Sequence, residues 1–227
     1  LHYEEVRINT PDIQRNKEGY VRITCNPPGA DIRYTVDGTD PGIGSALYSQ
    51  PFELCAGGTV KAVTIHPENG SLSAVRQVDF DICPRNWKIH EVSSEQADNN
   101  EDAARAIDGS TATNWITRWR PDAPAHPHFI AIDLGEVLTL KGFTYTPRNT
   151  ADFNGTIKDF KLFISMDGRN WGEPVSEGQF DNIVNDPSKK YVHFTSPVTA
   201  RYLKLVALSE IRQNPWASAA EIGVITK

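Results

Sequence analysis

Three observations predict an all-β chain built as two β-sandwiches in tandem. Apolar residues alternate with period two along most of the chain, Gly, Pro and Asp turns separate the alternating runs, and no segment carries a convincing helical repeat. In the first third, Val21, Ile23 and Cys25 share one face of a run that ends at Pro27-Pro28-Gly29. Ile32, Tyr34 and Val36 share one face of the next, which ends at Asp37-Gly38. Thr59 to Ile65 follows Gly57-Gly58, and Val78, Phe80 and Ile82 alternate in the last run. Further on, Ile130, Ile132 and Leu134 alternate before Gly135, and Phe160, Leu162 and Ile164 before the Asp167-Gly168 hairpin turn. Val192 and Phe194 precede Pro197, Leu203, Leu205 and Ala207 line one face, and Ile222 and Val224 come last. The helix-compatible piece Asp102 to Ala106 is too short to hold by itself.

The boundary between the two sandwiches is set by composition. All five Trp lie at or after position 87, and Cys83-Pro84 makes a break. Residues 1–84 and 85–227 are therefore expected as separate domains. The net charge of −6 argues against a nucleic-acid partner that needs a basic face. No apolar run approaches the roughly 20 residues that span a bilayer. A start at Leu1 reads as a mature or excised piece of something longer. The three Cys, at 25, 55 and 83, are too widely spaced for a CxxC metal site. Three buried thiols are the favoured arrangement, with a Cys25–Cys55 bridge and a free Cys83 as the alternative.

Ile32-Arg-Tyr-Thr-Val-Asp-Gly-Thr-Asp-Pro41, Leu47-Tyr48, Pro51-Phe52 and Gly58-Thr-Val-Lys-Ala62 resemble the small immunoglobulin-like domain at the C-terminal end of chitobiases and hexosaminidases. That resemblance implies a spacer beside a catalytic domain. Asp37 and Asp40 flank Gly38 and precede Pro41, so turn chemistry accounts for both better than a hydrolytic pair does.

From residue 87 on, Asp108-Gly-Ser-Thr-Ala-Thr-Asn-Trp115, Ile132-Asp-Leu-Gly135, Tyr145-Thr-Pro-Arg148, Asn154-Gly155, Ser165-Met-Asp-Gly168 with Trp171, Ala200-Arg-Tyr202 and Ala219-Ala-Glu-Ile222 appear in the order seen in discoidin-type, or coagulation factor 5/8 C-type, domains. The resemblance is nearest to their family 32 carbohydrate-binding branch. It implies a jelly-roll sandwich that binds galactose-type sugars without cutting them, at the C-terminal part of a secreted, periplasmic or cell-surface bacterial glycoside hydrolase. The parent enzyme would be a fucosidase, hexosaminidase or galactosidase, and the chain a monomer.

A loop turning at Gly109 can aim several oxygens at one hard cation, which takes six to eight of them. Asp108 offers a carboxylate, Ser110 and Thr113 hydroxyls or carbonyls, Arg105 a carbonyl, and Glu221 a second carboxylate. The resemblance gives these positions, with the carbonyl of Ala220, to a structural Ca²⁺. An Asx turn at Asp108 is the plainer reading of the same residues.

Sugar sites combine an aromatic ring against the apolar face of a pyranose with planar side chains that pair with adjacent hydroxyls. The resemblance places Arg148, Asn154 and one of His126 or His128 as hydrogen-bonding residues. Trp216, Trp119 or Phe153 would be the platform. Trp115 and Trp171 are expected in the core, and replacing Arg148 with Ala is expected to abolish binding with little change in fold. Two other functions compete with sugar binding. Catalysis would need paired carboxylates, and Asp122, Asp152 and Asp159 lack a partner motif. Lipid insertion would need basic-ringed apolar spikes, for which Arg118-Trp119-Arg120 is a faint hint against an acidic background.

Overall fold

The structure, a computed structural model, describes residues 8–227, and over these it divides into two compact units, with the division between Cys83 and Pro84. The first unit is built from seven strands: β1 (Asp12–Arg15), β2 (Tyr20–Thr24), β3 (Ile32–Thr35), β4 (Ala46–Leu47), β5 (Phe52–Glu53), β6 (Gly58–Thr64) and β7 (Arg76–Phe80). They form a β1-β2-β5 sheet and a β4-β3-β6-β7 sheet. Ile13, Val21, Ile23, Ile32, Val60 and Ala62 are the buried core, and Tyr34 and Phe52 stack beside them at 4.9 Å. The alternation at Ile32-Tyr34-Val36 fails at its last position: Val36 lies past the end of β3 and is 49% exposed.

The cysteine expectation is overturned. Cys55 and Cys83 form the disulfide, and Cys25 is the free thiol. Each of β5 and β7 is followed by one of the bonded cysteines, and Cys83 N–H donates to the Cys55 carbonyl at 2.8 Å. The Arg15 guanidinium donates to the carbonyls of Leu54, Asp81 and Ile82 beside them. The two strand ends belong to different sheets, and their nearness in space, not in sequence, selects the partner. Asp37 accepts from the Thr39 N–H and hydroxyl, and Asp40 pairs with Lys61 at 2.8 Å. Neither faces the other across a cleft.

The second unit holds β8 (Lys88–Val92), β9 (Trp115–Ile116), β10 (His128–Thr146), β11 (Asp159–Ser165), β12 (Ser176–Gln179), β13 (Lys190–Ala207), β14 (Ser218–Ala219) and β15 (Glu221–Ile225). Strands run β12-β11-β13-β10-β15, with β8 also on β10, and β14 pairs β9. All these pairings are antiparallel. β10 and β13 are long and change register between Asp133 and Leu138 and again between Leu140 and Gly142. Irregularities of this kind bend strands and let one pair serve both layers of a sandwich. Ile130, Ile132, Leu140, Phe143, Leu162, Leu203 and Leu205 fill the core, along with Trp115. Asp167 caps the β11 turn, accepting from the N–H groups of Arg169 and Asn170. Trp171 corrects the sequence reading: it is half-buried on an outer face, under the Lys204 ammonium at 4.1 Å and near His90. Ala103–Ile107 is a 3-10 turn capped by Asp102, which accepts from Ala104 N–H. Among the described residues no helix is long and apolar enough to cross a membrane.

Candidate functional site

Two loop clusters of the second unit hold the residues singled out by sequence. The first is a clasp between the 105–113 loop and β15. The Glu221 carboxylate accepts from Gly109 N–H at 2.7 Å and Ser110 N–H at 2.9 Å. Asp108 accepts from Ser110 N–H at 2.9 Å and from the Thr113 hydroxyl at 2.7 Å. The Asx turn expected as the plainer reading is therefore present. It does not account for Glu221, which is brought against Asp108 from the far end of the chain. Burial, then the Asp108 charge and a hydrogen bond with Asp108, push the Glu221 carboxyl up to about 8. Arg105 offers partial compensation, 3.7 Å from Asp108 and 3.4 Å from Asp102. Ala220, fully buried, donates its N–H to the Thr146 carbonyl. Among the described residues no three His, Cys, Asp or Glu side chains gather to hold a metal, so any cation here would lean on carbonyl and hydroxyl oxygens.

The second cluster assembles from four loops, and the register of β9 on β14 explains how. Ile116 pairs Ser218, and Thr117 N–H donates to the Ala217 carbonyl at 2.9 Å. The pairing ends there, since the Arg118 N–H turns to the Ser94 hydroxyl at 3.2 Å, and Trp216 is the residue just before Ala217. His126 directs its two ring nitrogens at the Ala207 and Asn214 carbonyls, each at 3.2 Å. His128 Nε2 donates to the Pro215 carbonyl at 2.7 Å. Asn214 donates to the Asn154 side chain at 3.5 Å, and Ser218 N–H donates to Gly155 at 2.7 Å. Gly155, at φ +80, must stay Gly, because an added Cβ would meet Ser218 Oγ at 2.8 Å.

At the centre lies an ion pair. Arg148 donates to Glu101 at 3.0 Å, with side chains only 20% and 11% exposed. Glu101 also accepts from Asn99 at 2.7 Å and, more distantly, from the Trp119 indole N–H at 3.5 Å. Trp119 is 37% exposed with the Arg120 guanidinium 4.7 Å from its ring. Its backbone is held by Gln96, a buried amide whose oxygen accepts from the N–H groups of Trp119 and Arg120. Arg148 Nε and the Trp216 indole N–H are buried without a protein partner. Asn154 is tied by its amide to Asp152 at 2.8 Å. Phe153 is half-buried at φ 50 in the same loop.

Of the histidines, His128 is 1% exposed inside β10, so it serves as scaffold for the 214–216 loop and cannot reach a ligand. Its burial lowers its pKa. His126 is half-buried and likewise occupied with backbone carbonyls. Sequence reasoning missed Glu101 and Gln96. Both lie in the polar run Glu95 to Glu101, which has no hydrophobic period, and its only signal was acidity next to the Asp102 cap. The three aspartates considered for catalysis serve locally. Asp122 pairs with Arg118, Asp152 caps Thr150 and Asn154, and Asp159 is hydrogen-bonded to Ser209.

Comparisons with known proteins agree on the class. Residues 21–78 match the family described as Fn3 associated, a different description from the chitobiase-type domain read from the sequence. Galactose oxidase of Gibberella zeae is 35% identical over 156 residues, 68% of this chain and 22% of that protein. Sialidase of Micromonospora viridifaciens is 36% identical over 133 residues, 58% of this chain and 20% of that protein. The chain thus spans about a fifth of the length of the curated relatives it matches. Among solved structures, CpGH89CBM32-5 from Clostridium perfringens, in complex with GalNAc-beta-1,3-galactose, is 35% identical with a TM-score of 0.56, covering 63% of this chain and 96% of that one. The family 32 module of C. perfringens NanJ, in complex with galactose, is 27% identical with a TM-score of 0.54, covering 62% and 94%. Residues 90–222 match the family described as F5/8 type C domain, and the chain belongs to that family.

Proposed function

We propose that the chain is a non-catalytic carbohydrate-binding region, that its second unit binds terminal galactose-type sugars at the Trp119–Arg148 cluster, and that it targets a larger glycan-active enzyme. The observation that carries this is the Glu101–Arg148 pair beneath a partly exposed Trp119. A charge-neutral carboxylate–guanidinium pair presents fixed acceptors and donors to adjacent hydroxyls, while an indole covers the apolar face of the ring. Trp216 and Asn154 stand at the margin of the same cluster. The relatives in complex with galactose and GalNAc-beta-1,3-galactose support the sugar class. Calorimetric titration with both sugars tests the reading. The double variant Glu101→Gln, Arg148→Gln should weaken binding roughly 10- to 100-fold, the worth of a charge-assisted hydrogen bond. Unchanged affinity would sink it.

A structural Ca²⁺ at the clasp belongs to the same reading. The donor set fits: Asp108 and Glu221 converge while both are partly buried, and hydroxyls of Ser110 and Thr113 with carbonyls of Arg105 and Ala220 can complete an oxygen shell. The ion would neutralise two like charges and tie the loop to β15. The Cys55–Cys83 disulfide supports residence in an oxidising compartment, outside the cytoplasm.

A further inference from the structure

A groove of about 520 Å³ opens beside the sandwich, between β12, the 181–190 segment and the start of β13. Its size falls within the range of small-molecule sites, roughly 300–1,000 Å³. Phe160 and Val192 line its apolar side, and Ser176, Glu177, Gln179, Asp186 and His193 its polar side. The segment that walls it is not loosely held. Phe180 stacks on Phe160 at 4.2 Å and on Tyr145 at 4.6 Å, and Ile183 is buried at 2%. Both anchors are core residues, so the wall is pinned by the same packing that holds the sandwich together.

Tyr191 stands in this groove 62% exposed, the most open aromatic ring among the described residues. It pairs with Thr144, and His193 with Gly142, so Tyr191 and His193 project from the same face of β13. An exposed ring has no folding role that a smaller polar residue could not fill, since it leaves most of its apolar area in water. The Lys189 ammonium lies 5.2 Å from the ring. The charges around it are largely matched: Lys190 pairs with Asp186 at 3.2 Å and Lys161 with Glu177 at 3.0 Å. A strongly anionic or cationic ligand would find little unspent counter-charge. An uncharged, hydroxyl-rich ligand would find a ring to lie on and amide, carboxylate and imidazole groups at the ring's edge.

We infer that this groove is a second saccharide-binding surface, for internal units of a neutral polysaccharide, with Tyr191 as the stacking platform and Gln179, Asp186 and His193 as hydroxyl partners. It lies outside the Trp119–Arg148 cluster and needs none of its residues. The ends of the chain it grips need not carry galactose.

Affinity electrophoresis of the full chain in gels containing mannan, xylan or β-1,3-glucan tests this, because these polymers lack terminal galactose. At least one gel should retard the wild-type protein. Tyr191→Ala should weaken that retardation about tenfold, Tyr191→Phe should keep it, and Glu101→Gln, Arg148→Gln should leave it unchanged. Thermal melting checks that Tyr191→Ala remains folded. No retardation in any gel, or equal retardation of wild type and Tyr191→Ala, overturns the inference. Because the loop-cluster variant is scored in the same gels, failure of the galactose site is read separately.

Discussion

Glu101, buried in a loop, and Glu221, partly buried at the start of β15, are carboxylates of one domain, and their surroundings are opposite. Glu101 meets a guanidinium, two further donors and the edge of an exposed indole. Glu221 meets a second carboxylate and backbone N–H groups, and its proton is held up to about 8. A carboxylate balanced by Arg148 is complete as protein and can turn to a neutral ligand. The acid pair at the clasp is short of positive charge, which is the ground for proposing a cation there. The difference separates the surface proposed to recognise a ligand from the one proposed to fasten the loop to β15.

The widest gap between them should open on cutting the Arg148 pair. Arg148→Ala leaves Glu101 stranded at 8% exposure, so it should cost about 3 kcal/mol, the low end for an unpaired buried charge, as well as sugar affinity. The expectation from sequence alone is little change in fold, and the melt decides between the two. Glu101→Gln added to it should recover most of the stability and none of the binding, read by urea melts beside calorimetry. If the single variant melts like wild type, the pair is not buried as described.

Next in size is the response to Ca²⁺. At 100 times its dissociation constant, a cation bound only by the folded form adds about 2.7 kcal/mol. For a domain of this size that is roughly 2–4 °C of melting temperature per kcal/mol. EDTA should remove the gain, and Glu221→Gln should abolish it while leaving the Arg148 site able to bind sugar. A melt indifferent to both additions would break the contrast.

The pH dependence sharpens it further. A carboxyl whose folded pKa is raised binds more protons folded than unfolded, so it stabilises at low pH and loses that contribution as pH rises from about 4.5 to about 8. In EDTA the melting temperature of the wild type should therefore fall across that window more than that of Glu221→Gln. Equal slopes would show that the acid pair does not titrate there. Smallest of all is the stability effect of Trp119→Ala, expected within about 0.5 kcal/mol because the ring is a surface group. Its sugar affinity should nonetheless drop roughly tenfold, by loss of the stacking face.

The strands and the Asp108 turn were legible because each rests on local pattern, whereas Glu221, more than a hundred residues away, was placed beside that turn only by the family resemblance. Val21 and Ile23, or Ile130 and Ile132, alternate visibly, and Asp108-Gly-Ser announces a turn. What could not be read depends on pairing at a distance. Cys55 finds Cys83 through the ends of β5 and β7, and nothing in the spacing selects it over Cys25. His128 looked like a loop residue next to Pro127 but begins β10 and is sealed by the 214–216 loop. Trp171 sits near a strand yet outside the core, because Lys204 and His90 occupy the outer face it covers. Glu101 became visible only when Arg148, 47 residues later, was placed against it.

Tyr145 is wholly buried, and its hydroxyl donates to the Ser218 carbonyl at 2.9 Å while accepting from Ile157 N–H at 3.0 Å. One oxygen atom thus ties the strand leading to Arg148, the loop after Asn154 and the stretch after Trp216. Burial drives its proton affinity far above any working pH, so the joint is permanent chemistry and not a switch. The loop tips can therefore change their side chains, and with them the ligand preference proposed for them, while their roots keep a common origin. Evolution of specificity in this domain can proceed by decorating the tips, without renegotiating how the loops meet.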